Sequence, residues 1–327
     1  MNIRARQEIH ETARQVLNRT PNARWILLTY IGISLGLSLL MSGLSFYFSN
    51  QISGAGGLGN IGLRSLLSTG QSVLPLVQVM VNACLGLGYH IAILCIIRKF
   101  EATPQTVTGG FRFFFPMLRL LLIQGFLYFG IMLGSFYLSS FIFMSTPFSG
   151  EFIAVITPVL ESSTVLNPTL VLDEATLAAA SKAMMPMIWI MIPVFALLAL
   201  PMFYKFRMAT FALADEPRRG AMAALAKSRR LMRRNCFALF RLDLSMWWFY
   251  LGQILIGLVC YGDALLPMAG VTFPWNDTVS YYLFFILSAL LEVALYYFTM
   301  NHVYTVYAVA YDALQEAQPQ FQMPMEI

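Results

Sequence analysis

The stretch Trp25–Phe48 reads WILLTYIGISLGLSLLMSGLSFYF and contains 24 consecutive residues without a charged side chain. A helix of about 20 apolar residues is long enough to cross the roughly 30 Å hydrocarbon layer of a bilayer. The stretch therefore predicts a membrane-spanning helix. It is longer than the core of a signal peptide and no small-residue cleavage site follows it, so we expect it to remain as an anchor.

The composition of the whole chain agrees with this prediction. Of the 327 residues, 58% are hydrophobic and 11% are charged, whereas an ordinary soluble domain has about 25% charged residues. The mean hydropathy is +0.67. A water-soluble enzyme of the usual kind is therefore excluded, and the sequence indicates an integral membrane protein.

Six apolar stretches predict an all-α polytopic membrane protein with six transmembrane helices. A cytoplasmic basic amphipathic helix is expected between helices 4 and 5. The domain prediction is a cytoplasmic amphipathic segment over residues 1–24, a single transmembrane domain over 25–314 with a basic linker at 205–243, and a cytoplasmic tail over 315–327. The six stretches are Trp25–Phe48, Leu74–Ile97, Leu120–Met144, Ala183–Tyr204, Leu244–Gly262 and Tyr281–His302.

The distribution of Lys and Arg predicts the orientation. In this threading, 19 of the 21 basic residues lie on the side that holds both termini, and only Arg64 and Lys182 lie on the other. Because the basic excess normally stays cytoplasmic, we expect both termini in the cytoplasm.

The segment Pro217–Phe240 separates its charged and apolar residues at helical spacing, with Asp215 as the expected helix start. Such a helix can lie in the headgroup layer and contact anionic phospholipid. The alternative is that it packs under the bundle and only enforces topology. Nucleic acid is disfavoured as a partner because no binding fold is recognisable. The apolar side is Ala221, Met222, Leu225, Met232 and Leu239, and the basic side is Arg219, Lys227, Arg230, Arg233 and Arg234.

Glu292 lies near the middle of the sixth predicted span, where an ionised group costs about 2.5 kcal/mol or more. Helical spacing places Ser288, Thr299 and His302 on the same side of that helix, and His90 has a similar predicted depth. Glu292 with His90 could relay a proton or bind a cation. The alternative is a protonated Glu292 that serves only as structural glue, hydrogen-bonded to a Tyr, a Ser or Gln253.

Other motifs are less specific. Pro186, Pro193 and Pro201 predict kinks in the fourth span, while Gly32/Gly36 and Gly130/Gly134 have the GxxxG spacing of close helix contacts. The four cysteines show no regular spacing, and the sequence contains no catalytic motif, metal-ligand pattern or cofactor motif.

The amino-acid sequence in and around the basic segment is similar to that of a known family. The runs Ala214–Pro217, Ala224–Met232 and Leu239–Ser245, together with Arg14–Trp25, resemble the bacterial integral-membrane family catalogued as domain of unknown function 975. The resemblance implies a six-helix protein of the inner membrane of a bacterial cell and supplies no catalytic residues.

Two hypotheses of function follow. The first is a non-enzymatic membrane scaffold or accessory subunit associated with anionic lipid, which a membrane protein partner or a second copy of the chain would join. The second is a proton- or ion-linked transporter that uses Glu292 and His90, for which a broken fourth helix would be typical.

Overall fold

The computed structural model of the protein describes residues 3–54, 61–162, 174–262, 266 and 277–317, and within those ranges the chain is helical. Short 3₁₀ turns connect two pairs of helices, at Gly110–Phe113 and at Pro217–Arg219. The helices are α1 Ile3–Arg19, α2 Asn22–Gly54, α3 Ile61–Ile97, α4 Gln105–Gly109, α5 Phe114–Met144, α6 Phe148–Ser162, α7 Glu174–Phe206, α8 Ala209–Asp215, α9 Gly220–Met232, α10 Cys236–Ser245, α11 Trp247–Cys260 and α12 Asp277–Glu316.

Five helical segments in the described residues are long and apolar enough to cross a membrane, which confirms the helical membrane class. Their large side chains are widely exposed, for example Leu197 at 75% and Phe298 at 78%. A soluble protein does not leave continuous apolar faces of this size in water. The segments are Asn22–Ile52, Arg64–Ile97, Gln105–Met144, Lys182–Asp215 and Tyr282–Glu316.

The predicted span Leu244–Gly262 differs from the structure. The helix breaks at Met246, and α10 and α11 meet at an angle of 69°. The 14 residues of α11 extend only about 21 Å at 1.5 Å per residue. A sixth crossing therefore requires α10 and α11 to form one bent span.

The basic segment is also not the single helix that the sequence predicted. After the 3₁₀ turn, α9 ends at Met232, and α10 begins at Cys236. Asp215 does not start a helix but ends α8. A helical-wheel pattern reports spacing alone, so it continues smoothly across a short break such as Arg233–Asn235.

The connection between α5 and α7 contains a helix that the sequence did not predict. Helix α6 follows α5 closely, and Phe143 packs edge-to-face against Phe152 with 6.1 Å between ring centroids. Asp173 lies outside the described residues, and α7 begins at Glu174 and contains all three predicted kink prolines.

The described helices form two compact units. Unit 1 comprises Met1–Leu120 and Phe206–Ile327, and unit 2 comprises Leu121–Lys205. Within unit 1, α3 and α12 are central: α3 contacts α2, α4 and α8, while α12 contacts α1, α2, α3 and α11.

Glycines bring α3 and the α4 segment into backbone contact. A Cβ atom at Gly88 would lie 1.9 Å from the Val107 carbonyl oxygen, and one at Gly110 would lie 2.1 Å from the Cys84 carbonyl oxygen. No side chain fits at either position. The predicted GxxxG pairs at Gly32/Gly36 and Gly130/Gly134 have open space around them instead, so they mark no close contact within the described residues.

We expect Gly88→Ala and Gly110→Ala each to destabilise the protein by about 1–3 kcal/mol or more, because the added methyl group forces two backbones apart. The measurement is thermal unfolding in detergent. The matched control is Gly86→Ala, on the same helix, where a Cβ meets nothing within 4 Å. Equal melting temperatures for Gly88→Ala and Gly86→Ala would contradict this packing.

Candidate functional site

A buried carboxylate joins four elements at one end of unit 1. Asp215, whose side chain is 8% exposed, accepts a hydrogen bond from Arg98 at 2.5 Å and one from Lys227 at 2.7 Å. Gln315 Nε2 donates to it at 2.9 Å and the Tyr311 hydroxyl at 3.0 Å. The ends of α3, α8 and α12 and the middle of α9 therefore meet at one carboxylate.

Further acidic groups complete this network, which we call the Asp215 cluster. Arg98 also donates to Asp312 at 2.8 Å, and Lys227 donates to Glu216 at 2.7 Å. The Lys227 ammonium lies 5.6 Å from the centre of the Tyr311 ring. Arg98, which is 23% exposed, and the buried Lys227 thus each contact two carboxylates, which offsets the cost of removing their charges from water.

The Asp215 cluster corrects the assignment of Lys227. The sequence placed this residue on the lipid-facing basic side, but its side chain is 10% exposed and faces Asp215 and Glu216. Met222, which the sequence placed on the apolar side, is 70% exposed. The inward face of α9 consists of Ala221, Ala224, Leu225, Lys227, Ser228, Leu231 and Met232.

A second network surrounds Arg207, just after α7. Its Nη2 atom donates to the hydroxyls of Tyr250 at 2.9 Å and Tyr307 at 3.0 Å. The Tyr307 hydroxyl in turn donates to Asp243 at 2.5 Å, and Asp243 is 7% exposed. A tyrosine relay therefore links the guanidinium to a buried carboxylate.

A partly enclosed cavity of about 210 Å³ adjoins this second network. His90 forms part of its wall and is held by a 2.5 Å contact from Nδ1 to the Gly86 carbonyl oxygen. Because a carbonyl can only accept, Nδ1 carries the proton, and Nε2 of the neutral ring is an acceptor. The cavity is lined by His90, Arg207, Thr210, Phe211, Phe249, Val303, Tyr304 and Tyr307.

The structure does not bring Glu292 and His90 together. On α12 the residue that packs against His90 is Tyr304, with 5.2 Å between ring centroids. Tyr304 is twelve residues beyond Glu292, which is about 18 Å along a helix. The carboxyl group of Glu292 instead interacts with Tyr296, one turn away on the same helix.

Two other residues of the predicted polar stripe, Ser288 and Thr299, have partners on their own helix. Ser288 donates to the Phe285 carbonyl at 2.8 Å, and Thr299 to the Leu295 carbonyl at 2.5 Å. Gln253 Nε2 is buried without a hydrogen-bond partner among the described residues. These residues do not form one site with His90.

His302, also predicted on this stripe, contacts the N-terminal helix. Its Nε2 atom lies 3.3 Å from His10 Nδ1, and the two rings stack with 5.4 Å between centroids. His10 Nε2 lies 2.9 Å from the Ser245 hydroxyl oxygen. Ile9 and Ala13 on the same face of α1 are buried. Within unit 1, α1 is thus docked on α12 through a histidine pair.

Sequence reasoning missed Arg98, Arg207, Asp243 and Asp312 as site residues. Asp243 and Asp312 lie in mostly apolar or aromatic helix stretches, and carboxylates in such stretches are a signal of buried pairing. In the described residues, no three His, Cys, Asp or Glu side chains are grouped as metal ligands.

Comparison with known proteins tests the family resemblance. The chain matches the family described as Protein of unknown function (DUF975) over residues 1–317. The chain belongs to this family. No curated protein and no solved structure matches it. The resemblance carried by the basic segment is therefore confirmed. The candidate sites of this DUF975 chain are the side-chain networks around Asp215 and Arg207.

We expect Asp215→Asn to destabilise this DUF975 protein by about 1.5–3 kcal/mol, because Arg98 and Lys227 each lose one of their two carboxylate partners. Chemical unfolding in mixed micelles measures the change. The control is Arg219→Gln, which removes an ion pair to Glu216 whose Arg side chain is 74% exposed; such pairs contribute about 1 kcal/mol or less. Similar losses for the two variants would contradict the importance of the Asp215 cluster.

We expect α1 to undock as the pH falls from 7.5 to 6. Burial, with Arg14 and Arg6 nearby, lowers the pKa of His10 below its ordinary value. Undocked His10 therefore binds protons more readily than docked His10, and docking loses stability once the pH falls below about 6.5. Hydrogen exchange in α1, corrected for its intrinsic pH dependence, measures the effect.

The control for this experiment is a double variant, His10→Gln with His302→Gln, which removes both titrating rings of the pair. Its α1 protection should not change between the two pH values. Equal pH dependence in the double variant and the unmodified protein would refute control of docking by the histidine pair.

Proposed function

We propose that this protein is a non-enzymatic scaffold or accessory subunit of a bacterial inner membrane, and that the α9 arginines contact anionic phospholipid headgroups. The observation that supports this function most directly is the different burial of the cationic side chains on α9 and at its two ends; the arginines among them are called the α9 arginines. Lys227 is buried in the Asp215 cluster, whereas the arginines are exposed. The exposed arginines are Arg219, Arg229, Arg230, Arg233 and Arg234.

The attachment of α9 favours a fixed lipid-contacting surface. Lys227 connects α9 to the end of α8, and Leu231 and Met232 are fully buried. A cation near an anionic membrane surface contributes about 1 kcal/mol. Because the helix is already held in place, contact with headgroups orders only the arginine side chains and not the backbone.

Helix length is consistent with a headgroup-level position for this surface. Helix α12 has 40 residues, or about 60 Å, twice the roughly 30 Å hydrocarbon thickness. Its final turns, which carry Tyr311 and Asp312, can extend beyond the hydrocarbon. With the basic excess on this side, the positive-inside rule favours cytoplasmic termini and a cytoplasmic α9.

The test compares the lipid shell of two matched double variants purified in mild detergent. Arg230→Gln/Arg234→Gln should lower the ratio of copurified phosphatidylglycerol to phosphatidylethanolamine about two- to fivefold, because two headgroup contacts are lost. Arg64→Gln/Lys182→Gln removes the same charge from exposed residues outside the basic segment and should leave the ratio close to that of the unmodified protein.

Lipid mass spectrometry of the purified proteins gives the ratio. Equal ratios in both double variants would refute specific headgroup contact by α9. A normal melting temperature for Arg230→Gln/Arg234→Gln is required, and it is expected because both side chains are exposed.

The polar cavity beside His90 favours a second candidate, an ion- or solute-linked transporter. Glu292 is not part of its wall, so transport would depend on His90 and Arg207 and not on the predicted Glu292–His90 pair. Solute flux into sealed proteoliposomes distinguishes the two functions, because a scaffold carries none.

A further inference from the structure

The cavity beside His90 contains polar groups that the protein itself leaves without partners. The hydroxyls of Thr210 and Tyr304 make no hydrogen bond with any described residue, and His90 uses only Nδ1. These atoms are not fully buried, and all three residues line the same cavity. Polar groups inside a protein are normally paired with protein, water or ligand.

The charge of the wall favours an anion. Among the described residues that line the cavity, Arg207 carries the positive charge and none is acidic. The nearby carboxylate, Asp243, accepts a hydrogen bond from the Tyr307 hydroxyl and does not line the cavity. This relay holds the guanidinium in place, and guanidinium groups form strong charge-assisted hydrogen bonds with carboxylates and phosphates.

The size and the remaining walls favour a ligand with an apolar body. A volume of about 210 Å³ corresponds to roughly seven waters at about 30 Å³ each. Phe211 packs edge-to-face on His90 with 4.5 Å between centroids, and Phe249 and Val303 complete the apolar wall. Small-molecule sites typically combine such walls with a few converging polar groups.

We propose that this cavity binds a small organic anion, with its carboxylate or phosphate group on Arg207, Thr210 and Tyr304 and its apolar body against Phe211 and Phe249. The anionic group belongs either to a soluble molecule or to a lipid headgroup. The proposal goes beyond lipid contact by α9 and does not depend on it, because the exposed α9 arginines are not in the cavity wall.

Benzoate is the test probe, titrated calorimetrically into the full chain in phosphatidylcholine nanodiscs. Benzoate should bind, and benzamide, which has the same shape without the charge, should bind at least tenfold more weakly. Tyr304→Phe and Thr210→Val should each weaken benzoate binding about three- to tenfold, since each removes one hydrogen bond to the ligand.

The variants are chosen to leave the fold intact. Tyr304→Phe and Thr210→Val delete hydroxyls without a protein partner, so melting temperatures should not fall. Thr305→Val is the matched control on α12, because the Thr305 hydroxyl donates to the Asn301 carbonyl at 2.6 Å and does not line the cavity. It should keep unmodified benzoate affinity, as should Arg230→Gln/Arg234→Gln.

Nanodiscs that contain phosphatidylglycerol distinguish the two sources of the anion. If added phosphatidylglycerol weakens benzoate binding, and Tyr304→Phe reduces that competition, the natural anionic group is a headgroup. If phosphatidylglycerol has no effect, the ligand is a soluble anion. Absence of benzoate binding in both lipids, or binding that Tyr304→Phe and Thr210→Val leave unchanged, would overturn the proposal.

Discussion

The carboxylate of Asp215 is the group on which the organisation of unit 1 depends. It is shared by a guanidinium at the end of α3 and an ammonium in α9, and a tyrosine and a glutamine from α12 also donate to it. Taking a carboxylate out of water costs several kcal/mol unless its lone pairs are satisfied. Elements distant in the sequence must therefore meet at this point for the fold to be stable.

This requirement also determines which cations remain available. Lys227 and Arg98 form ion pairs with carboxylates inside the protein. Arg207 is linked to Asp243 by hydrogen bonds through the Tyr307 hydroxyl. The exposed α9 arginines are left at the surface, where long side chains can reach headgroups. Unit 1 thus has paired charges in its interior, exposed arginines on α9, and a cavity whose wall includes the Arg207 guanidinium.

Sequence reasoning predicted the features that depend on local composition. Hydropathy identified the long apolar helices. It failed where the outcome depends on contacts between distant residues. Helical spacing cannot show that Lys227 meets Asp215, and similar predicted depth for Glu292 and His90 does not place them side by side. Gly88 and Gly110 stand out only when α3 and α4 are seen together.

The break at Met246 shows a related limit, because an apolar run gives no sign of a change in helix direction. The charged pairs are more informative, since a lone aspartate in an apolar helix requires a partner from elsewhere. Asp243 and Asp312 could have been singled out on that ground, but their partners, Tyr307 and Arg98, could not.

A double-mutant cycle between Arg98 and Asp215 tests the central claim most directly. Unfolding free energies are measured in mixed micelles for Arg98→Gln, Asp215→Asn and the double variant. Because the two side chains are in direct contact at a site that is 23% and 8% exposed, the account predicts a coupling energy of about 1–3 kcal/mol. Additivity within about 0.5 kcal/mol would contradict it.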